Sequence, residues 1–183
     1  MNIVLISGSL RASSYNTRVI QALEPMFDAR VTCTHVSIDL PLYNEDLENT
    51  DDLPESVTTL RDAITHADGV VISTPEYNYA IPGTVKNALD WASRPPGNNR
   101  WMDKPVGILG ASPSFTGTAR AQQMTKTCFL MVGARIFSGE QVLIAEAHER
   151  FDAQGTLTHE PTQTVLQAFA DGFTDFVASL SSK

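Results

Sequence analysis

A chain of 183 residues with 21 Asp and Glu against 13 Lys and Arg, a formal net charge of −8, lacks the cations that nonspecific nucleic-acid binding needs to displace phosphate counterions. Hydrophobic residues at 42% and charged residues at 19% are ordinary for a globular protein, and the length suits a single domain over 1–183 with one substantial core. No apolar run approaches a membrane span, and Met1-Asn2-Ile3 leads straight into a strand without the marks of a signal peptide, so no membrane partner and a cytoplasmic location are expected.

The apolar run Ile3-Val4-Leu5-Ile6 predicts a buried strand over about 2–7, and Val19, Ile20, Leu23 and Phe27 predict a helix over about 14–28. Between them, residues 8–16 form a loop of hydroxyls with one guanidinium. The unpaired N–H groups and positive dipole of a helix start favour a phosphate there. Ser9, Ser14, Asn16 and Thr17 can add hydrogen bonds, and Arg11 can add charge. The same residues also suit an ordinary strand-to-helix turn capped by Ser or Asn.

Alternating, β-branched residues over 30–36 predict the second strand. The loop from about 37 to 54 carries Glu45, Asp46, Glu48, Asp51 and Asp52, which lack ligand spacing and read as a solvated face. Val57, Leu60, Ile64 and Ala67 then give a helical stripe, and Val70-Val71-Ile72 a short strand apolar throughout, as expected where helices cover both faces. A polar and aromatic loop over 74–79 follows, then Pro82-Gly83 and a helix from Thr84 to about Ser93, which Arg94-Pro95-Pro96-Gly97 cannot continue. Val106-Gly107-Ile108-Leu109 predicts strand four, 111–117 a third polar loop, and 119–132 a helix. Strand five falls within 135–144, blurred by Gly139, and Leu166, Phe169, Phe173, Phe176 and Leu180 mark the last helix.

Five β-α units in alternation predict an α/β fold, a doubly wound parallel sheet of five strands in the order 2-1-3-4-5 with helices on both faces. The three polar loops then leave neighbouring strands at their carboxyl ends, where such sheets bind ligands. The first loop has no GxGxxG, so its hydroxyls favour a mononucleotide such as FMN over a dinucleotide. Gly-Lys-Ser/Thr and G-x-S-x-G are likewise absent, which argues against Walker-type and serine-hydrolase chemistry. Cys33 and Cys128 form no CxxC, and His35, His66, His148 and His159 no HExxH, so neither a disulfide nor a metal is expected.

Two segments carry a resemblance. Gly8-Ser9-Leu10-Arg11, followed by Ser14 and Asn16, and Pro75-Glu76-Tyr77-Asn78, continuing through Pro82-Gly83 to Trp91, resemble the NAD(P)H-dependent FMN reductases, flavodoxin-like proteins that include quinone, azo and chromate reductases. The resemblance implies FMN as cofactor and NADPH or NADH as co-substrate. Hydride would pass to the flavin and electrons then to a quinone, free flavin, azo compound or metal oxyanion, with no catalytic side chain. It implies that Ser9, Arg11, Ser14, Asn16 and Thr17 hold the FMN phosphate. Pro75, Glu76, Tyr77 and Asn78 would line the isoalloxazine edge, largely through backbone, and Ser112 would stand near the pyrimidine end. The third loop departs from the family's S-x-G-x-x-G-G-x-R pattern, with Ser114 and Thr118 where glycines are usual. A homodimer or a tetramer of dimers is also implied, with residues 77–101 as the candidate contact. The alternative reading is a flavodoxin-like electron carrier without its own NAD(P)H activity. Arg18, Arg94 and Arg100 are candidates to reach an NADPH phosphate, although each singly reads more readily as a surface charge, and Trp91 and Trp101 suit a core or subunit contact.

Overall fold

The structure, a computed structural model, describes residues 1–48 and 53–181. Strands β1 (Asn2–Ser7), β2 (Thr32–His35), β3 (Gly69–Ser73), β4 (Pro105–Ala111) and β5 (Arg135–Ile136) lie in the order β2-β1-β3-β4-β5, all parallel. Helices α1 (Tyr15–Leu23), α3 (Glu55–His66), α4 (Gly83–Ser93), α5 (Ala119–Met131) and α6 (Glu160–Ser181) follow the strands in alternation, and α2 (Glu45–Glu48) is a single turn within the long loop after β2.

Successive strand residues point to opposite faces, and here each face meets its own apolar layer. Ile3, Leu5, Val71 and Leu109 pack with Val19, Leu23, Phe169 and Phe173 of α1 and α6. Val4, Ile6, Ile72 and Ile108 pack with Leu60 and Ile64 of α3, Val85 and Leu89 of α4 and Phe129 of α5. Trp91 and Trp101 are fully buried in the protein's own interior. At Gly107 a Cβ would stand 2.8 Å from the Phe169 ring, so the missing side chain is what lets α6 sit down on β4.

Three sequence expectations are corrected. Helix α1 stops at Leu23, short of residue 28, because Pro25 has no N–H to continue the ladder, and Glu24–Met26 tighten into a 3-10 turn. The fifth strand is two short pieces on one neighbour: β5 pairs Pro105 and Val106, while β6 (Leu143–Ile144) pairs Gly110 and Ala111, giving six strands among the described residues. Between them Phe137 turns onto α6, its ring centroid 5.4 Å from that of Phe169 and 5.7 Å from that of Phe173. Finally, Glu48 is not solvated: its side chain is 2% exposed and accepts from Arg61 at 2.6 Å. Asp51 and Asp52 lie outside the described residues.

Candidate active site

Sheet order reverses between β1 and β3, and the loops after β1, β3 and β4 meet at that edge. Gly8 sets how closely the first two approach. Its N–H donates to Ser73 O at 2.8 Å, Thr84 Oγ1 donates to its carbonyl at 2.7 Å, and a Cβ would stand 2.8 Å from both Pro75 and Val85. Ser14 caps α1, its Oγ accepting from Asn16 N at 3.1 Å.

The Asn16 side chain does a different job from the one expected of it. Its Oδ1 accepts from Ala111 N at 3.0 Å and Ser73 Oγ at 2.9 Å, and its Nδ2 donates to Ala111 O at 3.0 Å. One buried amide thus ties the start of α1 to the ends of β3 and β4, and its hydrogen-bonding capacity is largely used there.

Ser9, Arg11, Ser14, Asn16, Pro75, Glu76, Tyr77 and Ser112, all expected site residues, line one cleft of about 270 Å³. Ser9 Oγ accepts from Arg11 N at 3.4 Å and lies 3.2 Å from Tyr77 Oη, so the first two loops touch across the cleft. Arg11 donates to Ser13 Oγ at 2.7 Å and leans over the ring of Tyr15, with no carboxylate partner among the described residues. Tyr15, which sequence reasoning missed, also lines the cleft.

The structure does not bring Thr17 and Asn78 into that lining. Thr17 Oγ1 is 2.9 Å from Ser7 Oγ and lines an adjoining cleft of about 300 Å³, beside Ser37 and Asp39, that shares Ser9 and Arg11 with the first. Asn78 and Tyr79, at φ 51° and 64°, are the central pair of a tight turn closed by hydrogen bonds between Tyr77 and Ala80. Asn is among the residues that tolerate that backbone.

Glu76 reaches the cleft with its backbone, but its carboxylate turns the other way. Its side chain is 7% exposed; Oε2 accepts from the N–H groups of Arg120 and Ala121 at 3.0 and 3.1 Å, and Arg120 pairs with Oε1 at 3.3 Å. The carboxylate therefore satisfies the first turn of α5, where a negative group is favoured. The Arg120 guanidinium in turn lies 4.8 Å from the Tyr79 ring centroid. Nothing in the sequence spacing signals this contact.

The third loop is anchored on β6: Ser112 N donates to Ile144 O and Ala147 N to Ser112 O, both at 3.0 Å. Thr118, one of the atypical residues, takes a left-handed backbone at φ 69° and is fully buried, its Oγ1 accepting from Gln122 Nε2 at 3.1 Å. A glycine would hold that conformation at less strain.

The family model described as NADPH-dependent FMN reductase matches residues 1–149. A 2-hydroxy-1,4-benzoquinone reductase of a Burkholderia species is 36% identical over 97% of this chain and 96% of its own length. An NAD(P)H-dependent FMN reductase of Pseudomonas aeruginosa is 39% identical over 88% of this chain and 87% of its own. Among solved structures, the flavoenzyme NAD(P)H:(acceptor) oxidoreductase of Paracoccus denitrificans superposes with a TM-score of 0.89 at 40% identity, covering 97% of each chain.

Proposed function

Since the chain belongs to the NADPH-dependent FMN reductase family and is an FMN-dependent NAD(P)H oxidoreductase with a flavodoxin-like fold, we propose that the cleft between its three loops holds the FMN and that quinones are the acceptor class. The observation that supports this placement is a cationic, hydroxyl-rich loop at the start of α1 in a protein of net charge −8. The residues fit the group: Arg11 has no carboxylate to answer among the described residues, Ser9 and Ser14 present hydroxyls, and Gly8 clears the approach of the second loop.

When bound, FMN supplies two-electron chemistry between NAD(P)H and the acceptor. Arg11 and the Ser9 and Ser14 hydroxyls bind and orient its phosphate. The backbone of Pro75, Glu76 and Tyr77, together with Ser112, would hold its ring. Tyr77, half exposed, offers an aromatic face to whatever enters. No side chain has to hold or move a proton, so specificity lies in position rather than in acid-base chemistry. The cytoplasmic location and the homodimer or homotetramer belong to the same reading. The latter draws on Tyr79, 71% exposed, and Tyr77 within the 77–101 segment, whereas Trp91 and Trp101 are buried and contribute no surface.

Anaerobic NADPH should bleach the yellow FMN-loaded protein, and 1,4-benzoquinone should restore the colour. Protein that stays yellow with both NADPH and NADH overturns the reductase reading and leaves the carrier. The relatives, named as reductases, favour the enzyme.

A further inference from the structure

An anionic co-substrate approaching a protein of net charge −8 gains only from local cations, and the nine arginines separate cleanly. Among the described residues, six pair with a carboxylate. Arg100 donates to the carbonyls of Arg94 and Asn98. Arg11 and Arg18 remain, and both stand over one ring: their guanidinium carbons lie 5.7 and 5.6 Å from the Tyr15 centroid. Arg11 belongs to the cleft assigned above to FMN. Arg18 has no assigned partner.

Tyr15, Arg18 and Ala22 follow one another at three- and four-residue steps, so they share one face of α1. At one end of that stripe Tyr15 lines the first cleft. At the other, Ala22 lines a larger cleft of about 460 Å³ between α1 and the 154–163 segment. Arg18 stands between the two and lies against Gly155, where a Cβ would meet its Nε at 3.2 Å. Tyr15 and Ala22 are about 10 Å apart along the helix axis, at roughly 1.5 Å per residue.

The larger cleft has no Asp, Glu, Lys, Arg or His in its lining. Met26 and Leu157 give it apolar walls, while Gln21 and Gln154 bring amides that both donate and accept, and Gln163, whose Nε2 donates to Leu157 O at 2.7 Å, keeps its carbonyl oxygen and second N–H. Apolar walls with amide hydrogen-bonding groups suit an uncharged heteroaromatic base, and the volume falls in the range of small-molecule sites. The geometry points to this cleft as the subsite for the adenosine half of NAD(P)H, with Arg18 binding a phosphate of that half as the dinucleotide runs past Tyr15 toward the flavin. The assignment rests on the reductase reading and adds where its co-substrate is held.

The test uses FMN-loaded enzyme with 1,4-benzoquinone as acceptor, in Arg18→Ala, Arg18→Lys and Thr156→Glu variants, the last placing a carboxylate at an exposed cleft position. Arg18→Ala should raise KM for NADPH at least tenfold, with kcat held and FMN affinity unchanged by fluorescence titration. Arg18→Lys should recover part of the loss, Thr156→Glu should raise KM as well, and adenosine 2′,5′-bisphosphate should compete with NADPH. A rise for NADPH alone assigns Arg18 to the 2′-phosphate; an equal rise for NADH assigns it to the pyrophosphate. Unchanged KM values, a rise that follows lost FMN, or insensitivity of Thr156→Glu would overturn the subsite. If wild-type enzyme oxidises neither coenzyme, the reductase reading itself fails; normal wild-type turnover with insensitive variants defeats only the subsite.

Discussion

Arg11 and Asn16 stand in the same short motif and do unlike work. Arg11 is exposed and, among the described residues, free of carboxylates, so Arg11→Ala should leave the melting curve nearly unchanged while weakening FMN binding by about 1.5–3 kcal/mol, the worth of a charge-assisted hydrogen bond. A flavin fluorescence titration measures it, and unchanged affinity removes Arg11 from the phosphate site. Asn16→Ala should show the reverse emphasis. It strands Ala111 N and Ser73 Oγ in the interior, at a cost of about 2–4 kcal/mol in urea unfolding of the flavin-free protein. Gly8→Ala sits between them: its methyl group would press on Pro75 and Val85, so both FMN affinity and the unfolding midpoint should fall, by about 1–3 kcal/mol in stability.

At the scale of elements, the strands were legible because fully covered strands read as unbroken apolar runs, and Ile3 to Ile6 and Val70 to Ile72 do so. The last helix was legible from its phenylalanines. The division of the fifth strand was not, since Phe137 leaves the sheet for a tertiary reason, its fit among Phe169, Phe173 and Phe176. The acidic loop after β2 misled for the same kind of reason. Its composition reads as solvent-facing, yet Glu48 is buried against Arg61, whose Nε donates to Trp91 O at 2.9 Å, while Asn87 and Trp91 of α4 both donate to Pro41 O. The loop is thereby strapped to α4. Glu48→Gln leaves the Arg61 charge buried without its counter-ion and should cost about 3–5 kcal/mol by chemical denaturation; a loss under about 1 kcal/mol would mean the strap does not depend on charge.

For the molecule as a whole, fold and cofactor class were open to sequence reasoning, and the division of labour inside the motifs was not. Hydroxyl, guanidinium and amide groups at a helix start suit an anion and an ordinary capped turn alike, and it is the second motif, Pro75 to Asn78, that turns the reading toward FMN. Whether a particular group faces the ligand or the protein depends on partners far along the chain, such as Ala111 for Asn16 and Arg120 for Glu76. The exposed Tyr77 and Tyr79 make association the remaining question at this scale. Light scattering on the FMN-loaded protein should give two or four times the 19.9 kDa chain mass, and Tyr79→Glu should shift it downward; a monomer at micromolar concentration would refute the assembly.

Two helices start from the loops that build the site, α1 from the first and α5 from the third, and the chain treats their starts unequally. The first turn of α5 already has its anion, the carboxylate of Glu76, supplied from within. That of α1 has only the neutral hydroxyl of Ser14. An elongated ligand with a charged head and a flat tail therefore finds a positive end on one side and a neutralised one on the other. The Arg11 side of the site thus keeps the uncompensated helix start, while the Glu76 carboxylate, turned away from the cleft, neutralises the other.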